Sequence, residues 1–364
     1  MLSSTTRRGS RIFSHYVGRG SSCCLSVRSA PFCTQNIEEP VISSSRTDTT
    51  AQLWKHRVKK DLLDEAKLKS MAKINDKNSP SFLVTKSPSY SHVSIDLSFG
   101  STPTLREQYR SWQKNKVRLG KVLEDLDALA GNIAHTHADD NNPQTRPLQI
   151  VTACVDRVDV LRPFPLDIDL NMHGNVSYVG TSSMHIAVEV VEKAKPENRI
   201  LTSSFLMVAR DASTGKSTPV NHLDIQTDRE KAEWILGEEA KAIRKKERAI
   251  SLAHSPPTPD ELKSLHESHF AKTKVEQTRP VIHTKDTSMS SVTVTQPQEK
   301  NTKDKIFGGY LMRKAYELSM ATALKFCGPK TNPFLLAVDE ISFHRPVAVG
   351  SLIYFDATVV YTTE

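Results

Sequence analysis

The sequence predicts an α+β chain that uses one plan twice: an antiparallel sheet wrapped round a long central helix. Two long apolar helical stretches, at 116–137 and within 301–327, each open at glycine: Gly120 in the first, Gly308 and Gly309 in the second. Beyond each helix lies a strand with the pattern V-D-x-[VI]-x-[VF]-x-R-P, at 155–163 and again at 338–346, a constant offset of 183. The same offset carries Val176-x-Tyr178 onto Val359-x-Tyr361. A duplication of about 185 residues is too long for a solenoid repeat and suits two copies of a domain.

Residues 1–37 hold five arginines (Arg7, Arg8, Arg11, Arg19, Arg28), many serines and no Asp, Glu or Lys. That is the composition of a mitochondrial transit peptide, and it predicts a matrix address. The chain shows no apolar run long enough for a secretory signal core or an integral membrane segment. Taking these five charges from the net +8 leaves +3 for the remainder. The basic balance is therefore an address, and nucleic acid is not an expected partner. Cys23, Cys24 and Cys33 fall in this segment. Cys154 and Cys327 stand in apolar settings without metal-ligand spacing and read as small core residues in a reduced compartment.

Residues 38–79 form a disordered or helical leader. Its stretch at 51–79 is charged and amphipathic, and its narrow apolar face (Leu53, Trp54, Val58, Leu62, Leu63) is expected to dock on the outside. The first copy spans 80–223. Residues 90–99 alternate as a strand does, with Val93, Ile95, Leu97 and Phe99 on one face. The long helix follows, then strand-like runs at 148–161, 168–179, 184–191 and 200–210. Residues 224–285 are a connector of different texture. A helix dense in Lys, Arg and Glu runs over 228–250, prolines 256, 257 and 259 interrupt it, and Thr258 with Pro259 opens a second helix as cap and first residue. The connector is expected to cross the outside of the sheet. The second copy, 286–364, begins with a weak strand at 290–295. The 183 offset maps Glu364 onto Thr181, so the second copy is expected to be truncated at its C-terminus by two strands, with unpaired edges and a partly uncovered helix.

In that second helix Ile306, Phe307, Tyr310, Leu311, Ala315, Leu318 and Thr322 recur at helical spacing, and a helix apolar on most sides is a buried one. The paired glycines admit a close neighbour at the helix N-terminus, where free N–H groups and the positive dipole end collect. A core helix with a glycine entry would look the same. In the first helix Asp127 shares a stripe with Gly120, Gly131 and Ala134, small residues suited to packing against another helix, whereas Glu124 and Asp125 read as solvated. His135, His137, His173 and His185 show no partner acid or second ligand at a periodic spacing, so no metal site is expected. Ser182 and Ser183 lack a nucleophile-elbow setting.

Four runs are more specific: R-L-G-K-V-L-E-D-L-D-A-L (118–129), F-L-M-V-A-R-D (205–211), I-F-G-G-Y-L-M-R-K-A-Y-E-L (306–318) and V-D-E-I-S-F-H-R-P-V-A-V-G-S-L (338–352). With these in order, the chain from about residue 80 resembles the mitochondrial double-hotdog acyl-coenzyme A thioesterases of the thioesterase 9 type. The resemblance implies tandem hotdog domains that pair with each other, the substrate lying between their helices, and further assembly as a homo-oligomer, commonly a trimer of double hotdogs. In the family an Asn in an N-x-x-G-x-x-F-G-G loop of one domain faces an acid seven residues past the glycine on the other domain's helix. Asn301, seven residues before Gly308, matches that Asn, and Asp127, seven past Gly120, matches the acid. Trp112 and Tyr316 hold the reciprocal positions, which implies one live site and one lost one. Asp304 stands where the loop motif usually has Gly.

The implied reaction is hydrolysis of fatty acyl-CoA to free fatty acid and coenzyme A. Asp127 would serve as general base, or as nucleophile through a mixed anhydride. Asn301 would orient water or the thioester, and the amides of Gly308 and Gly309 would form an oxyanion hole. Arg162 and Arg345, each before a proline at a strand end, are candidates for the phosphates of coenzyme A, although cations there commonly face solvent. No cofactor is implied, coenzyme A being part of the substrate. The competing reading is a non-catalytic acyl-CoA-binding or regulatory protein, inactive through truncation. Thiol release separates the two.

Overall fold

The structure, a computed structural model, describes residues 46–55, 83–140, 148–212, 214–251, 254–271, 282–301, 303–328 and 330–362. The transit peptide and most of the leader helix expected from the sequence lie outside the described residues. In chain order the elements are α1 (48–55), β1 (Thr85–Lys86), β2 (Val93–Leu97), α2 (Pro103–Tyr109), α3 (Leu119–Ala138), β3 (Leu148–Val160), β4 (Leu170–Val179), β5 (Ser183–Glu192), β6 (Lys195–Asp211) and β7 (His222–Leu223). There follow α4 (Asp228–Ile250), α5 (Pro259–Ala271), β8 (Met289–Val294), α6 (Gly308–Cys327), β9 (Ala337–Val338), β10 (Ile341–Ser342) and β11 (Leu352–Ala357).

Alternation builds the first sheet. In β2, Ile95 and Leu97 turn inward while Ser94 and Asp96 face solvent. Five antiparallel strands pair in the order β3-β6-β5-β4-β2, and α3 packs across β3, β4, β5 and β6. Sixteen of the twenty residues of α3 are buried, so this is the helix at the centre of a hotdog. Lys86 on β1 sends its Nζ to the carbonyls of Thr136 (3.1 Å) and His137 (3.0 Å), a cation closing the C-terminal end of α3.

The second copy joins the first at the free edge of β3. Val155 pairs with Ile341 and Val158 with Val338, so the two copies of the repeated strand run antiparallel about a local two-fold. β8 and β11 pair with each other as β2 and β4 do in the first copy. Among the described residues the second copy has no counterpart of β5 or β6. Its helix α6 is accordingly buried at Gly309, Tyr310, Leu311, Met312, Arg313 and Thr322 only, and is not enclosed as its apolar periodicity predicts. Cys327, read from the sequence as a core residue, is exposed at the end of that helix; Cys154 is buried.

The connector lies over the first sheet. Its helix α4 opens with a capping box, in which Thr227 Oγ1 accepts the Glu230 N–H at 3.2 Å and Glu230 accepts the Thr227 N–H at 2.8 Å. A Cβ on Gly237 would overlap Tyr178 of β4, and this bare position lets α4 approach the strand. Arg244 of α4 grips both oxygens of Asp156 at 2.7 Å and donates to His185 Nε2, also at 2.7 Å. His185 thus has an acid and a cation beside it, from elements that its own sequence neighbourhood does not reveal. Burial pulls its pKa down to about 4, which suits a neutral acceptor fastening α4. At α5, Thr258 accepts the Glu261 N–H at 3.3 Å, the cap expected from the sequence.

The described part of the leader, residues 46–55, does not dock on the outside; Val58, Leu62 and Leu63 lie outside the described residues. Leu53 of α1 is 4% exposed and belongs to the main core, with Trp54 packed beside it. The reason is polar. Thr50 Oγ1 donates to Asp125 Oδ1 at 2.6 Å, and Thr47 and Tyr109 donate to the same carboxylate. Asp125, which reads as solvated, is 0% exposed for this reason; Glu124, which reads the same way, is 2% exposed beside Arg46 at 3.7 Å and Arg313 at 3.2 Å.

Candidate active site

Helices α3 and α6 cross where their glycines are. A Cβ on Gly309 would stand 2.9 Å from both Cα and O of Glu124, so bare backbone is what lets the two helices touch. At this crossing the Gly309 N–H donates to Asp127 Oδ2 at 2.6 Å. Thr152 Oγ1 donates to the other oxygen, Oδ1, at 2.8 Å. Thr152 was not legible in the sequence; a bulge of β3 between Thr152 and Cys154 breaks the alternation at that point. A Cβ placed on Gly308 would stand 2.9 Å from Asp127 Oδ2 and 3.5 Å from Phe343, from the second copy of the repeated strand.

Asp127 is 3% exposed. Burial raises its pKa to about 6, and the bonds from Thr152 and Gly309 oppose the rise. A buried carboxylate held near neutrality, at the positive end of a helix, is equipped to take a proton from water. Gly308 N–H has no acceptor among the described residues and is free to meet a developing oxyanion.

Asn301 belongs to the loop before α6. Its Oδ1 accepts the N–H groups of Lys303 (2.8 Å) and Lys305 (3.1 Å), so the side chain organises its own loop. Its Nδ2 has no acceptor among the described residues. Asp304, at the motif's usual glycine, holds φ 55°, the left-handed conformation that favours glycine there. Asn115 holds φ 54° at the equivalent position of the first copy, an offset of 189.

That offset also relates the reciprocal positions. It maps Asp127 onto Tyr316 and Gly309 onto Gly120, and Tyr316 Cδ1 lies 3.3 Å from a Cβ placed on Gly120. A phenol stands where the carboxylate would be, its pKa pushed up to about 12 mainly by burial. Trp112, at the Asn position, is 70% exposed.

The two arginines part company. Arg345 is exposed, two residues beyond Phe343. Arg162 bonds Asn198 Oδ1 at 3.1 Å and lies beyond the end of β3, whose last residue Val160 is roughly 25 Å from Thr152 at about 3.3 Å per residue. The structure does not bring Arg162 to Asp127. Among the described residues no group of three or more His, Cys, Asp or Glu is placed to hold a metal ion, and no helix is long and apolar enough to cross a membrane.

A family model described as "Thioesterase superfamily" matches residues 305–364, the second copy from its loop onward. The chain is 36% identical over 337 residues to acyl-coenzyme A thioesterase 2, chloroplastic, of Humulus lupulus, covering 88% of this chain and 76% of the relative. The chain belongs to the acyl-coenzyme A thioesterase family. It is 36% identical over 282 residues to the mitochondrial acyl-coenzyme A thioesterase 9 of Bos taurus, covering 75% of this chain and 64% of that thioesterase. An acyl-CoA hydrolase from Staphylococcus aureus, solved with butyryl coenzyme A and coenzyme A, is 24% identical; the match covers 52% of this chain and 99% of that one, at a TM-score of 0.39. For an acyl-coenzyme A thioesterase, the crossing of α3 and α6 is where a thioester has to lie if Asp127 is to reach it.

Proposed function

We propose that the chain hydrolyses fatty acyl-CoA to a free fatty acid and coenzyme A at this crossing. The observation that carries the reading is the buried Asp127 carboxylate on the amide of Gly309, contributed by opposite copies of the duplication. Asp127 takes a proton from water as the water oxygen attacks the thioester carbon. The carbonyl oxygen gains charge beside the free Gly308 N–H at the positive end of α6. The C–S bond then breaks, and the proton held by Asp127 passes to the departing thiolate. Asn301 orients the water or the thioester through its Nδ2, and Arg345 takes a phosphate of coenzyme A. Water and the carboxylate complete the reaction without a cofactor. The mitochondrial relatives and the Arg-rich, acid-free leader support a place in the mitochondrion, and within it the matrix. The family resemblance supports assembly of double hotdogs into a homo-oligomer.

The test is thiol release from a series of acyl-CoA substrates. Wild-type turnover, reduced about 10²–10⁴-fold in Asp127→Asn and substantially in Asn301→Ala, with cooperative melting kept, is the expected outcome. Tight binding of acyl-CoA without thiol release would make the chain a binding protein instead.

A further inference from the structure

One buried cation touches the segments that carry Asn301, the α6 glycines and Asp127 without being any of the groups that do chemistry. Arg46, only 8% exposed, comes from the leader, before the first strand. Its Nη2 donates to the carbonyl of Lys300 at 2.6 Å and to that of Gln298 at 3.3 Å, the turn of backbone that delivers Asn301. Its guanidinium plane lies 5.0 Å over the ring of Phe307, the residue that leads into Gly308 and Gly309, and 4.1 Å over Trp54. Its Nη1 stands 3.7 Å from Glu124 Oε1, one helical turn before Asp127 on α3. Three elements therefore converge on one planar group: the Asn301 loop, the start of α6, and the Asp127 turn of α3.

We propose that Arg46 is a positioning residue for this site, fixing the Asn301 loop and the α6 amides against Asp127. The inference rests on the function proposed above. Arginine suits the task because one fork can serve two carbonyls while its face stacks on two rings; a lysine ammonium does only part of this. Misplacement of reacting groups by about 1 Å costs about 10²-fold in rate, so loosening this contact should register in turnover. It also follows that the leader at 46–54 is part of the working enzyme, and any processing has to leave Arg46 in place.

The experiment compares Arg46→Ala, Arg46→Lys and Asp127→Asn in the full chain by thiol release, with melting curves for each. The expected result for Arg46→Ala is kcat lower by roughly 10–100-fold, KM within about 3-fold of wild type, and cooperative melting retained. Arg46→Lys should recover part of the loss, and millimolar guanidinium should restore part of the turnover of Arg46→Ala but none of that of Asp127→Asn. Wild-type kcat in Arg46→Ala, while Asp127→Asn is inactive, overturns the role of Arg46 alone. So does a loss in Arg46→Ala that tracks the unfolded fraction and that neither lysine nor guanidinium relieves. Full turnover in Asp127→Asn overturns the proposed function and this inference together.

Discussion

The N–H of Gly309 and the carboxylate of Asp127, 182 residues apart in the chain, meet at 2.6 Å in the crossing of α3 and α6. The bond ties the ionisation of the candidate base to the fit between the two copies. Asp127 must be ionised to accept a proton, and its pKa stands at about 6 against an ordinary 3.8. We expect kcat/KM to rise with pH through about 6 and to level above it, read from initial rates between pH 4.5 and 8. Stability has the opposite sign. Asp125 and Asp127 are both raised to about 6, so the folded chain binds more protons than the unfolded chain between about 4 and 6. Their favourable contribution is complete below that window and is lost as pH rises through it.

Thr152 supplies the second hydrogen bond to that carboxylate, and the bond favours the charged form. Thr152→Val keeps the shape and removes the donor. The acid limb of the kcat/KM profile should then move to higher pH, with a smaller loss of the plateau rate than Asp127→Asn causes. An unmoved limb would mean that Asp127 is not the group titrating in the profile.

Glycines 309 and 120 are equivalents, yet their surroundings differ. A methyl on Gly309 meets backbone, the Cα and O of Glu124, and can be accommodated only by parting the helices. A methyl on Gly120 meets Arg313 Cγ at 2.9 Å and Tyr316 Cδ1 at 3.3 Å, side-chain atoms where Gly309 meets backbone, so side chains and not the helix axes have to shift. Gly309→Ala is expected to cost about 1–3 kcal/mol and to lower turnover about 10²-fold. Gly120→Ala should cost less stability than Gly309→Ala and leave kcat nearer wild type, because side chains can repack where backbone cannot. Urea midpoints with parallel rates check both.

How far the sequence showed this depends on where each contact originates. The long helices and the strands follow from periodicity and from a repeat at a fixed offset, whereas the pairing of Asp127 with the Gly308-Gly309 entry came only with the family resemblance. Thr152 escaped because its role depends on a bulge. Arg46, Asp125 and Glu124 escaped because a charge in an isolated window looks solvated; only the arrival of threonines, a tyrosine and other cations from distant segments makes burial tolerable. Enclosure of α6 was read from its own apolar faces, whereas burial is a property of the strands laid against it. Arg162 and Arg345 share a motif and an offset, and differ because the antiparallel pairing of the two copies sends equivalent residues to opposite ends of the ladder.

The same offset of 189 makes Glu124 and Arg313 equivalents, and they face each other across the local two-fold, with Arg313 Nε 3.2 Å from Glu124 Oε2. In a symmetric pair of identical copies this position would set a residue against itself. Here the duplicated chain sets opposite charges there. The contact is an ion pair by distance without the alignment of a hydrogen bond, and Glu124 is shared with Arg46 at 3.7 Å. Sharing fixes the order of two substitutions. Arg313→Met leaves Glu124 with Arg46 at 3.7 Å and with the charge of the nearby buried Lys121. Glu124→Met leaves two buried guanidinium groups with no carboxylate between them. Removing one member of a buried pair costs about 3–5 kcal/mol. We therefore expect Glu124→Met to lower the urea midpoint further than Arg313→Met does. The reverse order, or equal midpoints, would show that Glu124 is held by Arg313 alone and that Arg46 contributes no charge partner to the crossing.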